Sequence, residues 1–351
     1  MRKFFLSEDI DLIIKSIDIN KNNFNNSNIA IAGAFGFLGK YFLECFIKLK
    51  KKHNININIY AIDNFITSDN FYKKYYENHQ VNCINHNIND KIQLDVEFDY
   101  IICLAGIASP YYYNKYPVET LNVSINGLKN MFDLKHKDSS KFIFFSSSEI
   151  YGDPSPDQIP TQESYRGNVS SIGPRACYDE SKRVGETICY INSTYFNKNV
   201  SIIRPFNVYG PGMSIKDYRI IPNITRSYVL KDKLKIYNTG EQTRTYCYIS
   251  DAITGFLKVI LNKKKFGIYN IGNDVGEISV NDLLKLTEKV MNTKLNYIIA
   301  PYPAEYPPDE PQRRCPNINK AKANLDFLPI IDLEKGLSKH LNWAKENIKI
   351  D

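Results

Sequence analysis

Short, unbroken apolar runs alternate along this chain with longer segments that carry a helical apolar stripe. The runs are Ile29-Ala-Ile-Ala32, Asn56-Ile-Asn-Ile-Tyr-Ala-Ile62, Tyr100-Ile-Ile-Cys-Leu-Ala105, Lys141-Phe-Ile-Phe-Phe145 and Val200-Ser-Ile-Ile-Arg-Pro-Phe-Asn207. Runs this short, bounded by polar or turn residues, read as strands buried on both faces. Amphipathic helices fall between them: one from Gly39 to about Leu49, one over residues 118–134, and one carrying Tyr178 and Lys182. Strand and helix alternating in this order predict an α/β fold, a doubly wound parallel sheet with right-handed crossovers.

The two ends break that rhythm. Residues 1–27 read as an appendage. Ser7 caps a short helix through Asp9-Ile-Asp-Leu-Ile-Ile14 with acids in its first turn, and an Asn-rich linker follows over residues 20–28. That helix packs on the body or on a partner subunit rather than taking part in chemistry. Beyond Val208-Tyr-Gly-Pro-Gly212 the elements shorten and prolines interrupt them. Leu234-Lys-Ile-Tyr237 and Gln242-Thr-Arg-Thr-Tyr246 are strand-like. Residues 279–291 form a helix capped by Ser279, and the Pro-rich residues 302–316 form an extended loop. A nucleotide-binding domain over 28–206, joined by some later returning segments, and a smaller C-terminal domain over 207–351 are therefore expected.

Composition narrows the class. The chain has 351 residues, 43% hydrophobic and 24% charged, which suits a globular protein with a sizeable core. The net charge of +7 is spread out. Its main cluster, Lys48-Leu-Lys-Lys-Lys52, sits at a helix end that favours cations. A basic surface attracts a doubly charged nucleotide-sugar, and no nucleic-acid partner is expected. Seven cysteines without a Cys-x-x-Cys and five histidines without ligand spacing point to a reducing compartment and no metal. No apolar stretch has membrane-span length, and the first residues, with Glu8, Asp9 and Asp11, do not read as a signal peptide. A cytoplasmic protein with no membrane association is expected.

Candidate chemistry clusters at strand ends. Gly33-Ala-Phe-Gly36-Phe-Leu-Gly39 lies between a strand and a helix. The first glycine permits the tight turn, the second lets backbone approach a pyrophosphate, and the third allows close helix–strand packing. Asp63, ending the next strand, is placed to bond a ribose 2′-hydroxyl, which favours NAD over NADP. Ser146-Ser-Ser-Glu149 leaves the fourth strand, and Tyr178 and Lys182 share one helix face four residues apart. An ammonium beside a phenol lowers the phenol's pKa and makes a base for a sugar hydroxyl. Tyr111 and Lys115 have the same spacing, so only the Ser-rich strand end and the glycine loop single out Tyr178. Arg313-Arg314, in the Pro-rich loop, is by composition alone a solvated basic pair.

These motifs, with Ile172-Gly-Pro-Arg-Ala-Cys-Tyr-Asp-Glu-Ser-Lys-Arg183, Arg204-Pro-Phe-Asn207, Gln242-Thr-Arg244 and Pro311-Gln-Arg-Arg314, resemble the extended short-chain dehydrogenase/reductases that act on nucleotide-sugars. Within them the chain is most similar to the UDP-glucuronate decarboxylase (UDP-xylose synthase) branch, over about residues 28–345. The resemblance implies a Rossmann fold and a homodimer packed through the Tyr178 helix and the 118–134 helix. It implies NAD against Gly33, Phe35, Gly36, Phe37, Leu38, Gly39, Asp63, Asn64, Phe65, Asn87, Ile88, Leu104, Ala105, Tyr178 and Lys182. It implies substrate contacts from Ser109, Ser148, Glu149, Asn207, Arg219, Tyr237, Arg244 and Arg314. NAD would oxidise sugar C4 while Tyr178, helped by Lys182, removes the hydroxyl proton. Ser147 would bond the C4 oxygen, Glu149 would act near C5 or on the carboxylate, and Arg314 would supply positive charge or a proton as CO2 leaves. Ser148 stands where sugar 4,6-dehydratases place an Asp, and a simple 4-epimerase is not expected to carry Glu149. Ser147 replaces the family's usual Thr, Cys315 its Lys, and Gly106-Ile-Ala-Ser-Pro110 its Ser-Pro-Ala-Ser-Pro. A 4-epimerase, a 4,6-dehydratase or a related enzyme for another nucleotide-sugar remain alternatives.

Overall fold

The computed structural model describes residues 4–17, 23–217, 219–237, 239–301 and 311–348. Seven strands form its main sheet: β1 (Ser27–Ala32), β2 (Ile57–Asp63), β3 (Val81–Asn85), β4 (Phe98–Cys103), β5 (His136–Phe145), β6 (Asn199–Pro205) and β7 (Phe266–Ile271). They lie in the order β7-β6-β5-β4-β1-β2-β3, every neighbour parallel. This is the doubly wound arrangement the alternation predicted. Strand order reverses beside β1, and a crevice at the carboxyl ends of the flanking strands is where such sheets take ligands. Register sets that edge: Ala32 lies level with Ile62 on one side and Cys103 on the other. Gly33, Asp63 and Leu104 therefore leave the sheet together.

Two sheet strands escape a pattern search. Val81-Asn-Cys-Ile-Asn85 is an edge strand, half exposed, with too few apolar residues to stand out. β7 follows a helix, Ile249–Leu261, that is almost wholly buried, and the pair returns from the C-terminal half to complete the sheet. The segment over 118–134 is helical in pieces: Pro117–Asn122, a π-helical turn Val123–Gly127, and Leu128–Phe132. Gly127 permits the close approach there, since a Cβ would lie 2.8 Å from the Ile88 side chain.

The N-terminal helix Ser7–Ser16 is part of the core. Ile10, Ile13 and Ile14 are buried, and the buried Asp9 accepts from Tyr248 Oη at 2.7 Å and forms an ion pair with Lys339 Nζ at 2.8 Å. The expected Ser7 cap is not formed, because the helix begins at Ser7 itself and Leu6 holds the cap position. Residues 20–22 of the expected linker lie outside the described residues, and its last two belong to β1.

The C-terminal half carries small sheets. Leu234–Tyr237 pairs with Tyr297–Ala300, and Thr243–Arg244 lies between Ile278–Ser279 and Arg313–Arg314. Ser279 Oγ accepts the Asp282 N–H at 3.0 Å and caps Val280–Met291, as expected. The proposed loop over 302–316 lies outside the described residues as far as 310, and its end is the short strand Arg313–Arg314 rather than loop. Among the described residues no helix is long and apolar enough to cross a membrane.

Candidate active site

One cavity of about 850 Å³ runs from the glycine loop, past Tyr178, to the small sheets of the C-terminal half. Its size is in the upper part of the roughly 300–1,000 Å³ range of ligand pockets.

At one end the three glycines do different work. Gly33 has φ +77°, and a Cβ there would lie 2.7 Å from the Ala105 nitrogen. A Cβ on Gly39 would come within 2.5–2.6 Å of the Gly33 and Ala34 carbonyl oxygens, so only glycine lets the helix Phe37–His53 start this close to the turn. A Cβ on Gly36 would meet only the Gly33 oxygen, at 3.3 Å, and would otherwise project into open space at the cavity wall. A phosphate approaching the backbone and the helix N-terminus needs that space. Gly33, Gly36, Phe37, Leu38, Gly39, Asp63, Asn64, Asn87, Ile88, Leu104 and Ala105 all line this end.

Asp63 does more than face a ribose. Its carboxylate accepts the Phe35 N–H on Oδ2, and the Phe65 N–H and Ser68 Oγ on Oδ1, all at 2.9 Å. It therefore fastens the glycine loop to the loop after β2. Phe35 and Phe65, expected at the cofactor, are not on the cavity wall. Their rings pack together at 5.0 Å, and Phe35 also meets Tyr76, so they buttress the loops from behind. Ser109 is likewise off the wall, buried at the start of the short helix Pro110–Lys115.

In the middle, β5 ends and the chain turns sharply. Ser147 Oγ accepts the Glu149 N–H at 3.2 Å and caps the turn Ser148–Tyr151. Tyr178, on the helix Ala176–Thr194, faces the Ser147 side chain and stacks on Tyr113 with ring centroids 5.7 Å apart. Lys182 donates to the Phe145 carbonyl at 2.9 Å and lies 5.8 Å from the Tyr178 ring centre. Gly106 makes room for it, since a Cβ would sit 2.9 Å from Nζ. Burial pushes the Tyr178 phenol up to about 12, against the pull of Ser147. Burial also brings Lys182 down to about 8. The expected lowering of the phenol by its neighbour is thus overturned for the polypeptide itself. The ammonium is turned toward a backbone carbonyl, and desolvation of the phenolate outweighs it.

Close to Tyr178 lies a charged cluster. Arg314 donates to both oxygens of Glu149, to Oε2 at 2.8 Å, and Arg175 donates to Oε2 as well. Burial alone would raise the Glu149 pKa, but the two guanidiniums hold it well below the usual carboxylate range. Asp179 lies 3.5 Å from Arg175, and burial together with Glu149 pushes its pKa up. Arg244 reaches the cavity with its guanidinium bonded to the carbonyls of Thr243, Pro311 and Gln312. Arg219 is bonded to Asp217, and Asn207 donates to the Thr245 carbonyl at 2.8 Å. Ser148, Asn207, Arg219, Tyr237, Arg244 and Arg314 all line the cavity. Arg175 was not among the expected site residues. Its signal is a cation at a helix N-terminus, where the macrodipole disfavours one.

The profile of the NAD dependent epimerase/dehydratase family matches residues 29–272. UDP-glucuronic acid decarboxylase 5 of Arabidopsis thaliana is 34% identical over 315 residues, which is 89% of this chain and 88% of that protein. UDP-glucuronic acid decarboxylase 1 of Xenopus tropicalis is 32% identical over 328 residues, 93% of this chain and 74% of that one. Among solved structures, UDP-glucuronic acid 4-epimerase from Bacillus cereus in complex with NAD superposes with a TM-score of 0.75 at 23% identity, over 92% of this chain and all of that one. DesIV, a dTDP-glucose 4,6-dehydratase from Streptomyces venezuelae, gives a TM-score of 0.78 at 16% identity, over 91% of this chain and 97% of that one.

Proposed function

The chain belongs to the NAD dependent epimerase/dehydratase family, as an NAD-using enzyme that modifies nucleotide-sugars, and we propose that its reaction is decarboxylation of a UDP-hexuronate. UDP-glucuronate is the first candidate, with UDP-xylose as product. The observation that carries this reading is Glu149, a carboxylate on the cavity wall, only 18% exposed, held by Arg314 and Arg175 close to Tyr178. Cations gathered there suit a substrate that brings its own carboxylate to the reacting carbons. The curated relatives quoted above carry the same activity in their names.

The fit to NAD rests on the open space at Gly36, the helix start beside it and Asp63 at the strand end. When bound, NAD would supply the acceptor and later the donor of the C4 hydride, which would leave a C4 ketone β to the carboxylate while CO2 is lost. The chain's residues do the rest. Ser147 orients the C4 oxygen, and Tyr178 takes its proton. Lys182, buried 5.8 Å from the Tyr178 ring centre, supplies the cation that favours the phenolate as the proton leaves. Arg314 faces the negative charge that develops as the carbon–carbon bond breaks. Glu149 stays ionised near C5. Arg219, Arg244 and Tyr237 bind the rest of the nucleotide-sugar.

The test is to incubate the enzyme with UDP-glucuronate and analyse gas and products together. Release of CO2 with a UDP-pentose supports the reading. A C4 epimer that keeps its carboxylate, or a dehydrated product, rejects it in favour of the sister reactions. We also infer a homodimer through the Ala176–Thr194 helix and the run from Pro117. Val118, Tyr190 and Ile191 are exposed on these elements, at 64%, 50% and 39%. A monomeric mass by light scattering at micromolar concentration rejects that arrangement.

A further inference from the structure

Two guanidiniums meet on one carboxylate, and the proposed reaction gives work to only one of them. Arg314 comes from a two-residue strand of the C-terminal half, whereas Arg175 caps the helix that carries Tyr178. Their side chains are 7% and 11% exposed, so neither pair is a surface ion pair. Glu149 Oε2 is the shared atom, accepting from both. Arg175 is in turn steadied by Asp179, one helical turn along at 3.5 Å. A cation at a helix N-terminus opposes the macrodipole, so the helix itself gives no reason for it. A buried anion that loses its only cation is strongly disfavoured. A site in which Arg314 must turn to the substrate therefore needs a second holder for Glu149.

We infer that Arg175 is a positioning residue: it keeps Glu149 ionised and in place, so that Arg314 can leave Glu149 for the substrate carboxylate. The inference rests on the decarboxylase reading. Glu149 is faced by Arg175, Tyr178 and Asp179 from the helix, by Arg314 and Arg244 from the small sheet, and by Arg219 from the start of the helix Ile220–Leu230. Arg244 is committed to three carbonyls and Arg219 to Asp217, which leaves Arg175 as the cation that remains on Glu149 when Arg314 turns away.

The experiment compares wild type, Arg175→Gln and Arg175→Lys as full-length holoenzyme, reading CO2 release from UDP-glucuronate across pH. Arg175→Gln is expected to lower kcat by about 10- to 100-fold, on the scale of misplaced acid–base groups. KM should stay within about threefold, and the acid limb of the activity profile should move up by about one pH unit or more, because Glu149 loses a cation that holds it ionised. Arg175→Lys should restore the wild-type acid limb while remaining slower, because a single-pronged ammonium keeps the charge but not the geometry. Wild-type kcat and acid limb in Arg175→Gln overturn the inference. So does a loss confined to KM, which would mean that Arg175 touches substrate. Should Arg175→Gln fail to fold, Arg175→Lys decides alone, and wild-type kcat there overturns the inference. If the wild-type enzyme releases no CO2 from any UDP-hexuronate, the decarboxylase reading itself has failed, and the two failures are distinct.

Discussion

At the glycine loop, the groups that shape the cavity are near neighbours. Asp63 bonds backbone 2 and 28 residues away and a serine 5 away, and the sheet register delivers the rest. At the other end, Glu149 is held by side chains 26 and 165 residues away, from separate elements. The first end is made of backbone N–H groups and missing Cβ atoms, the second of charged side chains. The difference teaches where each end is vulnerable. The cofactor end fails when an atom is added, and the chemical end fails when a polar atom is taken away.

The hardest attempt to break this contrast removes one oxygen. Tyr178→Phe keeps the ring stacked on Tyr113, so the fold and bound NAD should persist. Turnover should fall about 10³-fold or more, as expected for loss of a positioned base. CO2 release and cofactor retention, measured on one sample, check both halves, and full activity would remove Tyr178 as the base. Arg314→Ala comes next. Arg175 still holds Glu149, so nucleotide-sugar affinity should fall less than CO2 release, which drops about 100-fold, the scale of one lost charge-stabilising donor. Unchanged CO2 release would remove Arg314 from the reaction.

The same contrast explains what could be read in advance. The glycine spacing, the Asp63 strand end and the five apolar strands are local patterns, and the structure places them as the pattern implied. The rings of Phe35 and Phe65 lie behind the loops rather than on the cavity wall, because a place in a loop beside the cofactor end does not say which way a side chain turns. β3 and β7 were hidden because an edge strand needs few apolar residues and a returning strand lies far along the chain. The burial of the N-terminal helix depends on Tyr248 and Lys339, more than 200 residues downstream. The pairing of Arg175 with Glu149 is a tertiary fact, and so is the desolvation that raises Tyr178 rather than lowering it.

An addition at the cofactor end sharpens the comparison from its other side. Gly36→Val meets only the Gly33 oxygen, at 3.3 Å, with an ordinary backbone φ of −67°, so the melting temperature should fall far less than in Gly39→Val. NAD affinity should fall by about tenfold or more, or 1.4 kcal/mol and upward. Gly39→Val puts the same atoms against two carbonyl oxygens and should cost the fold itself. Calorimetric titration with NAD and a thermal melt separate the two. Equal NAD affinity in Gly36→Val and wild type would mean that the phosphates do not pass over this loop.

The smallest expected effect lies one residue from one of the largest. Arg313 and Arg314 are consecutive on a strand, so their side chains take opposite faces. Arg314 turns inward to Glu149 with 7% of its side chain exposed, while Arg313 turns outward to Glu277 with 45% exposed. Arg313 donates to both Glu277 oxygens, at 2.9 and 2.7 Å, yet solvent screens that pair. Composition made the two arginines look alike, as a solvated basic pair, and the strand's alternation divides them into one that is and one that is not. Arg313→Ala should therefore cost no more than about 1 kcal/mol of stability and leave kcat within about twofold. Denaturant unfolding and CO2 release measured beside Arg314→Ala make the comparison. If both variants lost activity alike, the strand Arg313–Arg314 would be acting as a unit rather than as two faces, and the inward charge alone would no longer account for the chemistry at Glu149.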